Sequence, residues 1–124
     1  MASPAALHRK QAYHLRELEI ARDPQDPGHV SPPVITPDKV VLDLGCGAGQ
    51  TLIAAYAGCR AVGIDLDFDA LKFGLDLGCE APLICSRAEA LPFRDHSFDL
   101  VIARSSLQYT DLNRSLAEIR RVLT

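Results

Sequence analysis

The pattern of apolar and polar positions along this 124-residue chain changes at Lys39. Residues 5–22 are rich in strong helix formers, with Leu15 and Leu18 on one face, and predict a helix. The stretch "DPQDPGHVSPPVITPDK" follows, with five prolines and one glycine, and predicts an irregular strap. Then "KVVLDL" runs nearly continuously apolar and β-branched, as a strand covered on both faces of a parallel sheet would. "TLIAAYA" predicts a helix stopped by Gly58, and "AVGID" a second strand. "FDALKFGLDL" predicts a helix capped by Asp67 and ended by Gly78. "APLICS" and "FDLVIAR" predict a third and a fourth strand. Asp111 is placed to cap a last helix in which Leu112, Leu116, Ile119 and Leu123 share a face.

Strands alternating with helices imply right-handed βαβ units, an α/β fold and a parallel sheet. Ligands of such sheets sit at the carboxyl ends of the strands. The chain divides into a leading helix and strap, residues 1–38, and an α/β unit, residues 39–124.

Composition narrows the class without naming a function. The chain is 48% hydrophobic and 23% charged with a net charge of −3, so it lacks the basic excess of a general nucleic-acid binder. No apolar run is long enough for a membrane span, and no apolar signal core opens the chain, so a cytoplasmic location is expected. Cys46, Cys59, Cys79 and Cys85 form no CxxC pair and have no histidine at ligand spacing; reduced, mostly buried thiols and no metal are expected. His8, His14, His29 and His96 are scattered, and surface positions are expected for them.

The chemistry concentrates in "VLDLGCGAGQ". Gly45, Gly47 and Gly49 alternate directly after the first strand, where bare backbone permits positive φ and lets a ligand approach the main chain. The spacing differs from the dinucleotide fingerprint G-x-G-x-x-G. Asp43, two residues before Gly45, suits a cationic group better than a pyrophosphate. Asp65 ends the second strand and is placed to accept hydrogen bonds from ribose hydroxyls. A nucleoside joined to an amino acid meets both requirements, and a nicotinamide cofactor fits less well.

"VLDLGCGAGQ", "AVGIDLD" and "AEALPFRDHSFDLVIAR", in that order, resemble a class I S-adenosylmethionine-dependent methyltransferase of the ubiquinone/menaquinone-biosynthesis-like type, over residues 39–124. The resemblance implies a Rossmann-like three-layer sandwich and S-adenosylmethionine as cofactor. It implies Gly45, Cys46, Gly47 and Gly49 against the methionine part, Asp43 near its amino group and Asp65 on the ribose. Leu66 would lie on the adenine, Ala88 and Glu89 at its edge, and Arg104 where cofactor and acceptor meet. Similar sequences carry an acid or amide where this chain has Arg87. Tyr109 and Gln108 would stand at the mouth of the site. The fourth strand ends in "ARSS" rather than the N-P-P-Y or D-P-P-Y of nucleic-acid and protein amino-methylating relatives, so a small-molecule acceptor is expected. A non-catalytic cofactor-binding module is the alternative. The family's sheet has the order 3-2-1-4-5-7-6, and only 3-2-1-4 is expected here, as in a truncated enzyme. An exposed fourth strand is then expected to invite a homodimer or a partner chain.

Overall fold

The computed structural model describes residues 3–104 and 106–124. Its elements are α1 (Pro4–Arg22), β1 (Val40–Leu44), α2 (Gln50–Ala55), β2 (Arg60–Asp65), α3 (Phe68–Asp76), β3 (Leu83–Cys85), β4 (Leu100–Ala103), a 3-10 turn (Leu107–Tyr109) and α4 (Leu112–Val122). All strand pairs are parallel, in the order β3-β2-β1-β4. The central position of β1 explains its unbroken apolar run, since Val41 and Leu42 are fully buried on opposite faces.

Alternation along β1 builds the three layers. Val41 packs with Leu52, Tyr56 and Leu71 beneath α2 and α3. Leu42 and Leu44 pack with Leu91, Phe98 and Val122 on the α4 side. Asp67 and Asp111 cap α3 and α4 as expected, accepting from the N–H of Ala70 and Arg114 at 3.3 Å each. The N-terminal segment joins the same unit: α1 packs on α2 and α3, and the Tyr56 hydroxyl donates to the Pro33 carbonyl of the strap at 2.6 Å. No helix among the described residues is long and apolar enough to cross a membrane.

Two helix faces differ from the sequence pattern. On α1 the buried pair is His14 and Leu18, while Leu15 is exposed. On α4, Ser115 and Val122 face inward, and Leu112 and Leu116 are about half exposed. A polar clamp sets this rotation. Arg121 donates to Glu118 (2.6 Å), Asp95 (2.9 Å) and the carbonyls of Phe93 (2.7 Å) and Leu91 (3.0 Å). Glu118 in turn accepts from the Leu91 N–H at 2.8 Å. These bonds satisfy loop backbone that α4 covers, and they fix which of its faces turns inward.

The strands are also shorter than their apolar runs. β4 starts at Leu100 because the Asp99 carboxylate takes the Val40 N–H at 2.9 Å, and Phe98 pairs instead with Leu123. Phe98 donates to the Val122 carbonyl and accepts from the Thr124 N–H, each at 2.9 Å. The outer side of the β4 approach is therefore covered by the chain's own last residues, whereas Leu100–Ala103 pair with β1 alone among the described residues.

Candidate functional site

The carboxyl ends of β1, β2 and β4 open on one cleft of about 640 Å³. Its floor is the turn from β1 to α2. There φ is +71° at Gly45, +58° at Gly47 and +78° at Gly49, values that side chains with a Cβ rarely adopt. Space also matters: at Gly45 a Cβ would strike Ser106, and at Gly47 it would crowd His14 Cε1 and Gln50 Oε1 at 3.1 Å each.

Asp43 ends up beneath this turn. It is 4% exposed and lines the cleft. Burial pushes its pKa up to about 7; the Arg104 guanidinium opposes the rise and the Asp65 carboxylate adds to it. A carboxylate this deeply set, at the wall of a cleft, is charged at a cost unless a cation comes to it.

Asp65 is held by backbone on both oxygens. Oδ2 accepts from the Gly47 N–H and Oδ1 from the Asp67 N–H, each at 2.8 Å. Each oxygen keeps a further lone pair for a hydroxyl donor. Leu66 beside it is exposed and lines the cleft. Ala88 and Glu89 form the next wall; Glu89 accepts from the Asp111 N–H at 3.3 Å and pairs with Arg87 at 3.4 Å. Arg104 is exposed at the rim, with no ion pair among the described residues.

The expected site residues thus converge, with two qualifications. Cys46 gives the cleft its backbone, while its thiol turns into the core toward Gly63, and burial raises its pKa. Gly49 does not reach the cleft: it caps α2 from behind, where a Cβ would lie 2.9 Å from Cys79 Sγ. Tyr109 lines the mouth and is exposed, whereas Gln108 lies outside the lining. Cys85 is exposed, against the expectation of mostly buried thiols.

Sequence reasoning missed the contribution of α1. Tyr13, His14 and Glu17 line the cleft, and His14 is buried rather than at the surface. Its Nδ1 lies 2.7 Å from Gln50 Nε2. Burial lowers its pKa, outweighing the nearby carboxylates of Asp67, Asp65 and Glu17. Lys10 ties the helix down, reaching Asp67 at 2.8 Å and Asp69 at 3.6 Å. The one sign in the sequence was the i, i+4 spacing of His14 and Leu18 on a helix of mostly polar surface.

A parallel sheet with a glycine turn, a largely buried carboxylate beneath it and an acid at the next strand end defines a nucleotide-type cofactor site of Rossmann-like form. The Methyltransferase domain family matches residues 42–124, and the chain belongs to that family. The uncharacterized methyltransferase YodH of Bacillus subtilis is 39% identical over 95 residues, covering 71% of this chain and 40% of YodH. The human mitochondrial arginine-hydroxylase NDUFAF5 is 35% identical over 89 residues, covering 68% of this chain and 25% of that protein. A solved S-adenosylmethionine-dependent methyltransferase of Methanosarcina mazei superposes with a TM-score of 0.64 at 28% identity, covering 73% of this chain and 50% of that one. The chain spans well under half the length of these two curated relatives. The family's cofactor, S-adenosylmethionine, fits the residues present: the largely buried Asp43 carboxylate at the cleft suits its ammonium, and the free lone pairs of Asp65 suit its ribose hydroxyls.

Proposed function

We propose that this chain binds S-adenosylmethionine in the Asp43–Arg104 cleft and serves methyl transfer to a small-molecule acceptor. The observation that carries the reading is Asp43: a carboxylate that is 4% exposed, at the wall of the cleft, beneath a turn of positive-φ glycines. A cleft of about 640 Å³ lies within the range of small-molecule sites, about 300–1,000 Å³, and has room for a cofactor of nucleoside type. The cofactor, when bound, supplies a methyl group activated on a sulfonium.

The chain's own residues supply placement. Asp43 would hold the ammonium, and Asp65 the ribose hydroxyls through the lone pairs left free by Gly47 and Asp67. Leu66 would cover one face of the adenine, with Ala88 and Glu89 at its edge. Arg104 at the rim adds a positive charge beside the entry, suited to an acceptor with an anionic group. Orientation in a site screened from water is the main protein contribution to such a displacement.

Calorimetric titration with S-adenosylhomocysteine tests this. Micromolar affinity, about −8 kcal/mol, is expected, falling at least about tenfold in Asp65→Ala. Methyl transfer from labelled cofactor to a panel of small acceptors then separates an enzyme from a binding module. A folded chain that ignores S-adenosylhomocysteine refutes the reading.

A further inference from the structure

We infer that α1 completes the cofactor site, with the His14 Nε2–H as the donor for the cofactor's amino-acid carboxylate. This rests on the cofactor reading above and adds a residue from outside the matched residues 42–124.

An α-amino acid brings a carboxylate one carbon away from its ammonium. A carboxylate needs donors, and the backbone of the glycine turn has few left. The N–H groups of Gly45 and Cys46 donate to the Ile64 carbonyl, and Gly49 donates to Cys46, each at 2.9 Å. Gly47 gives its N–H to Asp65 at 2.8 Å. Four donors of the turn are spent within the fold, which leaves the backbone only the first N–H groups of α2 and gives a side-chain donor beside the turn a role.

His14 is the side chain placed against this turn. Its Cε1 lies 3.1 Å from where a Cβ of Gly47 would be, so the ring packs closely on the bare backbone there. The tautomer follows from its partner. The Gln50 amide nitrogen, 2.7 Å from Nδ1, has hydrogens to donate and no lone pair to offer. Nδ1 therefore accepts, and the neutral ring carries its hydrogen on Nε2. Among the described residues no buried side-chain polar atom lacks a partner, and Nε2 has no protein partner. Nε2 is thus open, and His14 is one of the residues lining the cleft.

The surroundings hold this donor in place. Lys10 fastens α1 to Asp67 and Asp69 at the start of α3, and Tyr13 packs edge-on against the His14 ring at 5.1 Å between centroids. The charged groups facing the imidazole are Asp65, Asp67, Glu17 and Lys10. Three of these four are acidic, so the carboxylate approaches a site where a dedicated donor is needed.

The test compares two ligands by calorimetry on the 124-residue chain. S-adenosylhomocysteine carries the amino-acid carboxylate, and methylthioadenosine lacks the whole amino-acid group. His14→Ala is expected to weaken S-adenosylhomocysteine by about 10- to 100-fold, as for a hydrogen bond to a charged group, and methylthioadenosine by less than about threefold. His14→Gln, which keeps an N–H donor, should recover part of the loss. Equal weakening of both ligands would reduce His14 to a packing residue and overturn the inference. So would loss of the preference in Arg104→Ala but not in His14→Ala, which would put the carboxylate at the rim. A wild-type chain that binds methylthioadenosine as well as S-adenosylhomocysteine also overturns it while leaving the nucleoside half of the cofactor reading intact. Binding of neither ligand overturns both.

Discussion

Replacing Asp43 by asparagine should stabilise the ligand-free protein and weaken its cofactor affinity. Burial lifts the Asp43 pKa from an ordinary 3.8 to about 7. A carboxyl with a raised folded-state pKa favours the fold while it is protonated, and the contribution is lost as pH rises from the unfolded value through the folded one. At about 1.4 kcal/mol for each tenfold change, ionisation of Asp43 costs the fold about 4 kcal/mol near pH 8 and roughly 1.5 kcal/mol near pH 5. Asparagine matches aspartate in shape and stays neutral throughout. Urea unfolding of both proteins without ligand should therefore show Asp43→Asn the more stable, by an excess that grows about 2–3 kcal/mol between pH 5 and pH 8. In the same samples S-adenosylhomocysteine should bind the variant more weakly, since its ammonium loses a buried counter-charge. An Asp43→Asn protein no more stable than wild type near pH 8 would refute the reasoning, because it would mean that the fold already pairs this carboxylate.

Two further substitutions probe what positions the cleft. In Gly74→Ala the new Cβ would lie 2.6 Å from the Ala48 carbonyl oxygen and 2.7 Å from Leu83 Cδ1. Backbone at Ala48 cannot swing aside, so overpacking of about 1–3 kcal/mol should exceed the helix-propensity gain of about 1 kcal/mol; a higher urea midpoint would contradict this. Arg121→Ala strips the carbonyls of Leu91 and Phe93 and the Glu118 carboxylate of their shared donor, so Tm should fall by several degrees and amide exchange at Leu91 and Phe93 should quicken. Unchanged exchange there would show that the clamp does not hold the loop.

The strands, both aspartate caps and the glycine turn were legible because each rests on local chemistry: apolar runs, a side-chain acceptor at a helix start, bare backbone at a strand end; the strand order came from the family resemblance. Asp43 and Asp65 were legible for the same reason, standing at fixed offsets from the turn. What escaped depended on tertiary contacts. Ser115 faces inward on α4 because Arg121 and Glu118 bind the loop at Leu91 and Phe93, nearly thirty residues away in sequence. His14 turns inward because α1 lies over Gly47 and Gln50, and no periodicity encodes which distant surface a helix will cover. Gly49 looked like its two companions, yet its neighbour in space is Cys79, which places it behind the turn.

The two backbone bonds to Asp65 have a consequence for ligand thermodynamics. They lock the turn to the end of β2, and Gly74 braces it from below at Ala48. The conformational entropy of this loop is lost during folding and is not lost again when a ligand arrives. A site stiffened in advance binds fragments in proportion to the contacts they make, without an ordering threshold that only a whole ligand can cross. Adenosine-sized pieces should therefore bind with free energies that sum toward that of the intact cofactor, each reporting its own wall of the cleft.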